Sequence, residues 1–225
     1  MRRDQLLSAL ADKLQALVCN HPLRVSIDGV DAAGKTALAD ELASVLRDRG
    51  KDVVRASLDG FHNPRVVRHQ RGPESPEGYY LDSFDYGALV RHVLAPLGPG
   101  GSRRYRSAVF DFRTDTPVDV PCETARHDAI LLFDGVFLQR PEIRAHWDYR
   151  IFVAASFETT VRRAMERDQH LFGEAEKVRR RYEARYVPGQ RLYLASCDPE
   201  ANADAVVGND DPDAPTLRWP KARAR

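Results

Sequence analysis

The eight residues Gly29-Val30-Asp31-Ala32-Ala33-Gly34-Lys35-Thr36 satisfy the pattern G-x-x-x-x-G-K-[ST] at every fixed position. Each residue type has a chemical reason to stand where it does. Glycines let the backbone curl so that successive N–H groups aim at phosphate oxygens. A lysine at position 35 can reach the β- and γ-phosphates of a nucleotide, and a threonine hydroxyl at 36 can ligate Mg²⁺. All eight residues are therefore candidate ATP contacts, with Lys35 also a catalytic candidate and Thr36 a metal ligand. Asp28 and Asp31 read as turn residues of this loop, with metal tuning or a substrate contact as the other reading. Neither is assigned a catalytic role.

The pattern does this chemistry only if a strand delivers the chain to Gly29 and a helix leaves from Lys35, so that the helix dipole points at the same anion. Both are expected. Leu23–Asp28 is a short strand running directly into the loop. Residues 35–49 repeat Leu38, Leu42, Val45 and Leu46 at helical spacing and stop at Gly50. An earlier helical stripe covers 4–18 and ends at Asn20-His21-Pro22.

Further on, Asp52–Leu58, Ala129–Phe133, Tyr149–Ala155 and Ala203–Val207 read as strands. Residues 62–80, rich in Pro, Gly, Arg and Glu, read as a long loop, and Phe84–Leu94 as a helix. Ser156 caps a helix reaching to about Phe172, Gly173 interrupts it, and a second helical stretch covers 174–186. The alternation from Arg103 to Pro121 suggests a hairpin. Strands separated by helices predict an α/β fold, a P-loop nucleotide-binding sheet that is mostly parallel and flanked by helices. Residues 1–225 are expected to form a single domain, with a hairpin insertion at about 99–122 and lid helices at about 157–186. Arg163 and Arg167 share a face of the first lid helix. A closing lid would bring them to the transferring phosphoryl. The other reading of the lid arginines is a solvated face paired with Glu166, Asp168, Glu174 and Glu176.

Composition narrows the function classes. With 34 basic and 33 acidic side chains, the net charge of +1 gives no electrostatic footprint for nucleic acid or a membrane surface. Cys19, Cys122 and Cys197 show neither metal-ligand spacing nor a disulfide framework, and the histidines suggest no metal site. With no secretory h-region and no apolar run of membrane-spanning length, a cytoplasmic protein is expected. A homo-oligomer is compatible with the sequence. A GTP switch would carry N-K-x-D, which is absent, as is an ABC-type signature. Small-molecule kinases lead, and a P-loop ATPase or binding module is the reading from another class.

The order of further motifs resembles the uridine kinase and phosphoribulokinase-like family of P-loop kinases over about residues 22–212. It is carried by Leu58-Asp59-Gly60-Phe61-His62, Asp82-Ser83-Phe84-Asp85, Phe110-Asp111-Phe112 and Phe133-Asp134-Gly135. Arg163 through Arg167-Asp168 and Ala203-Asp204-Ala205-Val206-Val207 complete it. The resemblance implies ATP and Mg²⁺ as cofactors and a small-molecule hydroxyl as acceptor. It makes Asp59 the catalytic base, consistent with a carboxylate at the end of a parallel strand facing the ligand crevice. An Asx turn before Gly60 is the alternative. It makes Asp134 a candidate for holding Mg²⁺ through water, where the family more often has Glu, and a strand-end turn residue is the alternative there. His62 would line the acceptor pocket. Phe110 and Asp115 stand where uridine kinases usually carry a Tyr and a His that read the base, so uridine is expected to be a poor acceptor. Another nucleoside, pantothenate, a sugar or a sugar phosphate remains open.

Overall fold

The computed structural model describes residues 1–220. Helix α1 (Arg3–Gln15) turns Leu6, Leu7, Leu10 and Leu14 inward. Strand β1 (Leu23–Gly29) is buried at all seven residues, as a parallel strand covered on both faces must be. Helix α2 (Lys35–Asp48) leaves the phosphate loop and buries Leu38, Leu42 and Leu46 completely. Those three side chains contribute on the order of 5 kcal/mol of burial, enough to fix the helix whose first turn must hold the ligand. Strand β2 (Val53–Ser57) follows.

The stretch 62–80 is more structured than its composition suggests. It contains α3 (Arg65–Arg68) and α4 (Pro76–Asp82), the latter capped by Ser75, whose hydroxyl accepts from the Gly78 N–H at 3.0 Å. Helix α5 (Tyr86–Leu89) continues through a π turn at Val90–Leu94. The expected hairpin is two nested antiparallel ladders. In them β3 (Arg104–Tyr105) pairs with β6 (Glu123–Thr124), enclosing β4 (Phe110–Asp111) and β5 (Thr116–Pro117).

Strands β7 (Ile130–Asp134) and β8 (Tyr149–Ala154) complete the centre of the sheet. Ser156 does cap α6 (Phe157–Arg167), accepting from the Thr159 N–H at 3.2 Å. Then come α7 (Gln169–Phe172) and α8 (Ala175–Arg181). The second lid helix does not end at 186. It runs through a π turn (Tyr182–Tyr186) directly into α9 (Val187–Cys197). Pro188 has no N–H to donate, and the wider π turn before it accommodates the missing bond without ending the helix. Gly189 is needed there, because a Cβ would lie 2.8 Å from the Pro76 carbonyl oxygen on α4. Strands β9 (Ala205–Gly208) and β10 (Thr216–Arg218) close the fold.

The main sheet has six strands in the order β10-β9-β8-β1-β7-β2, all parallel except β10. One core packs α1 and α2 on one face, and a second packs α4, α5 and α9 on the other. Because β1, β2, β7 and β8 are parallel, their carboxyl ends share one edge. That edge therefore collects Gly29, Asp59, Asp134 and Ser156, and the strand order reverses at β1, where such sheets bind ligands.

Candidate active site

The phosphate loop takes its shape from backbone conformations that glycine tolerates. Gly34 has φ +95°, and a Cβ on it would meet the Asn209 amide nitrogen at 2.5 Å. That amide donates to the Ala33 carbonyl oxygen at 2.7 Å, so the loop after β9 buttresses the phosphate loop from behind. Lys35 departs from a simple outward-reaching lysine. It is buried, and its ammonium donates to the Val30 carbonyl oxygen at 2.7 Å across the loop. Burial lowers its pKa, an effect opposed by the carboxylates of Asp31, Asp28, Asp134 and Asp59.

Thr36 and Asp134 meet. The Thr36 hydroxyl donates to Asp134 Oδ2 at 2.6 Å, while Arg55 Nη2 holds the other carboxylate oxygen at 3.0 Å. Oxygen donors of this kind, a hydroxyl beside a carboxylate, suit Mg²⁺. Asp59 sits on a 3₁₀ turn (Leu58–Phe61) at the end of β2, its N–H lying 3.4 Å from the Ser57 hydroxyl. It is open to solvent at the cleft mouth, but the walls screen its carboxylate from bulk water. That desolvation, with the charges of Asp134 and Asp31, pushes its pKa up.

These residues line one cleft of about 340 Å³. Of the candidate residues, Asp31, Ala32, Lys35, Thr36, Asp59, His62, Asp134 and Arg167 line it. His62 is held between the rings of Phe84 and Phe112, at centroid distances of 4.5 and 4.7 Å, and burial pushes its pKa down to about 4. The imidazole is thus neutral at physiological pH, and Nδ1 contacts the Asp59 carbonyl oxygen at 3.0 Å. A carbonyl only accepts, so Nδ1 carries the proton and Nε2 is an acceptor. Arg167 is held by Asp168 at 2.6 and 3.0 Å, and Tyr182 Oη donates to the same carboxylate at 2.8 Å.

Three expected site residues lie elsewhere. Arg163 points to the loop after β9, where its Nη2 donates to the Asn209 and Asp210 carbonyl oxygens at 2.8 and 3.1 Å. Phe110 is buried in the hairpin rather than facing the cleft. Asp115 accepts from the Arg65 N–H at 2.8 Å and from Arg68 Nη2 at 2.9 Å, stapling the hairpin to α3. The hairpin's contribution to the cleft is Phe112 and Arg113, so positions 110 and 115 carry no reading about a base. Arg179 and Arg180 make the ion pairs expected of a solvated face, with Glu176 and Glu183.

Asp31 is not a plain turn residue. Its Oδ2 accepts from Tyr79 Oη at 2.6 Å and from Gln190 Nε2 at 2.7 Å. Neither partner was foreseeable, because Tyr79 lies in a segment that reads as loop and Gln190 follows an apparent helix breaker. Far from the cleft, at the amino-terminal edge of the sheet, Cys19, His21 and Asp148 come together. There Asp148 is engaged by the Arg24 guanidinium at 2.9 and 3.0 Å, which makes the cluster a salt-bridge anchor.

No sequence family model matches the chain. It is 25% identical over 193 residues to uridine-cytidine kinase B of Dictyostelium discoideum, covering 85% of this chain and 77% of that one. Its fold is similar to that of a possible uridine kinase from Bacillus stearothermophilus, with TM-score 0.72 and 22% identity over 90% of this chain and 97% of that one. It is also similar to D-glycerate 3-kinase from Cryptococcus neoformans, with TM-score 0.64 and 13% identity over 96% and 98% of the two chains. In sequence the chain is similar to a uridine-cytidine kinase and its fold is that of P-loop small-molecule kinases, and these similarities support an ATP-dependent small-molecule kinase.

Proposed function

We propose that this cleft binds ATP with Mg²⁺ and transfers the γ-phosphoryl to a hydroxyl of a small molecule, with Asp59 as the base. The observation that carries the reading is the presence of a solvent-reachable Asp59 in the same cleft as Lys35, Thr36 and Arg167. The acceptor oxygen forms its bond to the γ-phosphorus as the bond from phosphorus to the β–γ bridging oxygen breaks. ADP leaves, and the hydroxyl proton passes to the Asp59 carboxylate. The raised pKa of Asp59, caused by its desolvation and by the charges of Asp134 and Asp31, makes its carboxylate a better proton acceptor than an ordinary aspartate.

Loop N–H groups and Lys35 would hold the β- and γ-phosphates, and Arg167 would neutralise charge on the transferring group. Thr36 and Asp134 would hold Mg²⁺, which when bound neutralises phosphate charge. Arg163, away from the cleft, would support the loop at Asn209 that braces the phosphate loop. His62, Phe84 and Phe112 would form an aromatic wall for the acceptor. The relatives' names point to nucleosides and to a hydroxy acid as starting acceptors.

Incubating the protein with ATP–Mg²⁺ and a panel of nucleosides, sugars, pantothenate and D-glycerate, with products read by mass, tests the reading. At least one acceptor should gain a phosphoryl group. Asp59→Asn should lower that transfer by about two to four orders of magnitude while ATP affinity stays within a few fold. ATP hydrolysis with no phosphorylated product would replace the kinase reading by that of an ATPase. Collapse of ATP binding in Asp59→Asn would make Asp59 a metal or structural residue.

A further inference from the structure

A carboxylate inside a loop built to hold phosphate is an electrostatic liability. Asp31 is nevertheless held in a defined position, and by neutral donors rather than by a cation. Tyr79 Oη and Gln190 Nε2 both bond to Oδ2. Oδ1 takes no hydrogen bond among the described residues, and the side chain lines the cleft. Tyr79 is itself fixed, with ring centroids 5.0 Å from Phe137 and 4.8 Å from Tyr186. The result is a rigidly held hydrogen-bond acceptor with one oxygen left for a ligand.

The charges around it say what kind of ligand. Asp134 is neutralised by Arg55, and Arg167 is matched by Asp168. Lys35 points across the phosphate loop to Val30. Among the described residues, Asp31 and Asp59 form no ion pair, although both line the cleft. Among the described residues, the further basic side chains lining it are His170 and Arg113, whose guanidinium lies 5.8 Å from the Phe112 ring centroid. Two carboxyl groups without a cationic partner therefore present oxygens beside the aromatic wall of His62, Phe84 and Phe112. Such a surface takes hydroxyl protons and the C–H face of a ring, and it repels an anion.

We infer that Asp31 sets acceptor specificity: its Oδ1 receives a second hydroxyl of the acceptor while Asp59 receives the one to be phosphorylated, so the acceptor is a neutral molecule with at least two hydroxyls. This rests on the kinase reading above. It separates nucleosides and neutral sugars from pantothenate, glycerate and sugar phosphates. Asp31 acts as a binding residue, and Tyr79 and Gln190 act as positioning residues through it.

The test measures kcat/KM for uridine, cytidine, D-ribose and D-fructose against D-glycerate, pantothenate and ribose 5-phosphate. A neutral polyol should lead every anion by at least about tenfold, and deleting its second hydroxyl should cost a further factor of about ten or more. Asp31→Asn keeps an oxygen for Tyr79 and replaces the free oxygen by an amide that cannot accept. It should raise KM for the parent acceptor about tenfold, leave KM for ATP within about threefold, and shrink the deoxy penalty to within about threefold. A merely structural Asp31 would lower activity equally on the parent and deoxy acceptors. If Asp31→Asn melts early, Gln190→Met loosens the same carboxylate without changing charge and should raise KM for the parent but not for its deoxy analogue. An anion as best acceptor, or a deoxy penalty that persists in the variants, overturns the inference and leaves the kinase reading intact. Transfer to no acceptor at all overturns both.

Discussion

Directly beneath the phosphate loop, Asp28 is fully buried at the end of β1. Its Oδ1 accepts from the Gly29 N–H at 2.8 Å and lies 3.4 Å from the Leu138 nitrogen, and Oδ2 accepts from Tyr193 Oη. These bonds and the charge of Lys35 favour the ionised form, but desolvation outweighs them and lifts the pKa from the ordinary 3.8 to about 6. The sign for stability follows. Below about pH 4 the carboxyl is protonated folded and unfolded, and it costs nothing. Between about pH 4 and 6 the unfolded chain releases the proton while the native state keeps it, so stability falls as pH rises. Above pH 6 the cost is constant at about 3 kcal/mol, from two pKa units at 1.36 kcal/mol each.

Asp28→Asn lacks this titration. It forfeits about 1 kcal/mol, because the amide nitrogen cannot accept from Tyr193, but that loss does not depend on pH. Urea unfolding of both proteins at about pH 4.5 and about pH 7.5 should therefore show the variant gaining about 2 kcal/mol on the wild type between them. Using the difference between the two proteins cancels every other titrating group. A gap that stays constant within about 0.5 kcal/mol would mean that Asp28 is not desolvated as its burial implies, and the argument would fail.

Lys35→Met preserves most of the side chain's volume and should leave a folded protein, by circular dichroism, whose phosphoryl transfer is reduced by about two to three orders of magnitude; turnover within a few fold of wild type would remove Lys35 from the mechanism. The pKa of Asp59 is raised, and the base must be deprotonated to act. The kcat/KM profile should therefore fall as pH drops through a limb lying above the ordinary carboxylate range, and Asp59→Asn should abolish that limb. A profile flat down to the ordinary carboxylate pKa in the wild type would contradict the role.

The parts of the fold legible in the sequence are those whose signal is local. Continuous apolar runs marked β7 and β8, and the loop pattern with its flanking strand β1 and helix located the phosphate site. Ser156 announced its helix because capping is read within one turn. What escaped depends on distant contacts. Pro188-Gly189 looks like a helix stop, yet the glycine is there so that α9 can lie against α4, a requirement set more than a hundred residues away. Asp82 through Asp85 were visible as a motif, whereas the segment before them hid α4 behind its glycines and charges. In the hairpin, alternation was legible but facing was not. A single residue separates Phe110 from Phe112, and only the fold decides that 110 is buried while 112 meets His62. Carboxylates were recognisable as such, but Asp31 and Asp28 gained meaning only from Gln190 and Tyr193.

Those last two residues belong to one continuous helical run that begins in the lid. Tyr182, in its π turn, donates to Asp168 and so helps hold Arg167 over the cleft. Two turns later Gln190 reaches Asp31 within the phosphate loop, and Tyr193 reaches Asp28 beneath it. A π turn adds a residue to one helical turn and rotates everything after it by about 100°. The turn at Tyr182–Tyr186 thus decides which side chains of α9 face the phosphate loop. Lid, acceptor wall and phosphate loop are tied to a single element, and the helix irregularity is what brings its polar residues into register with both carboxylates.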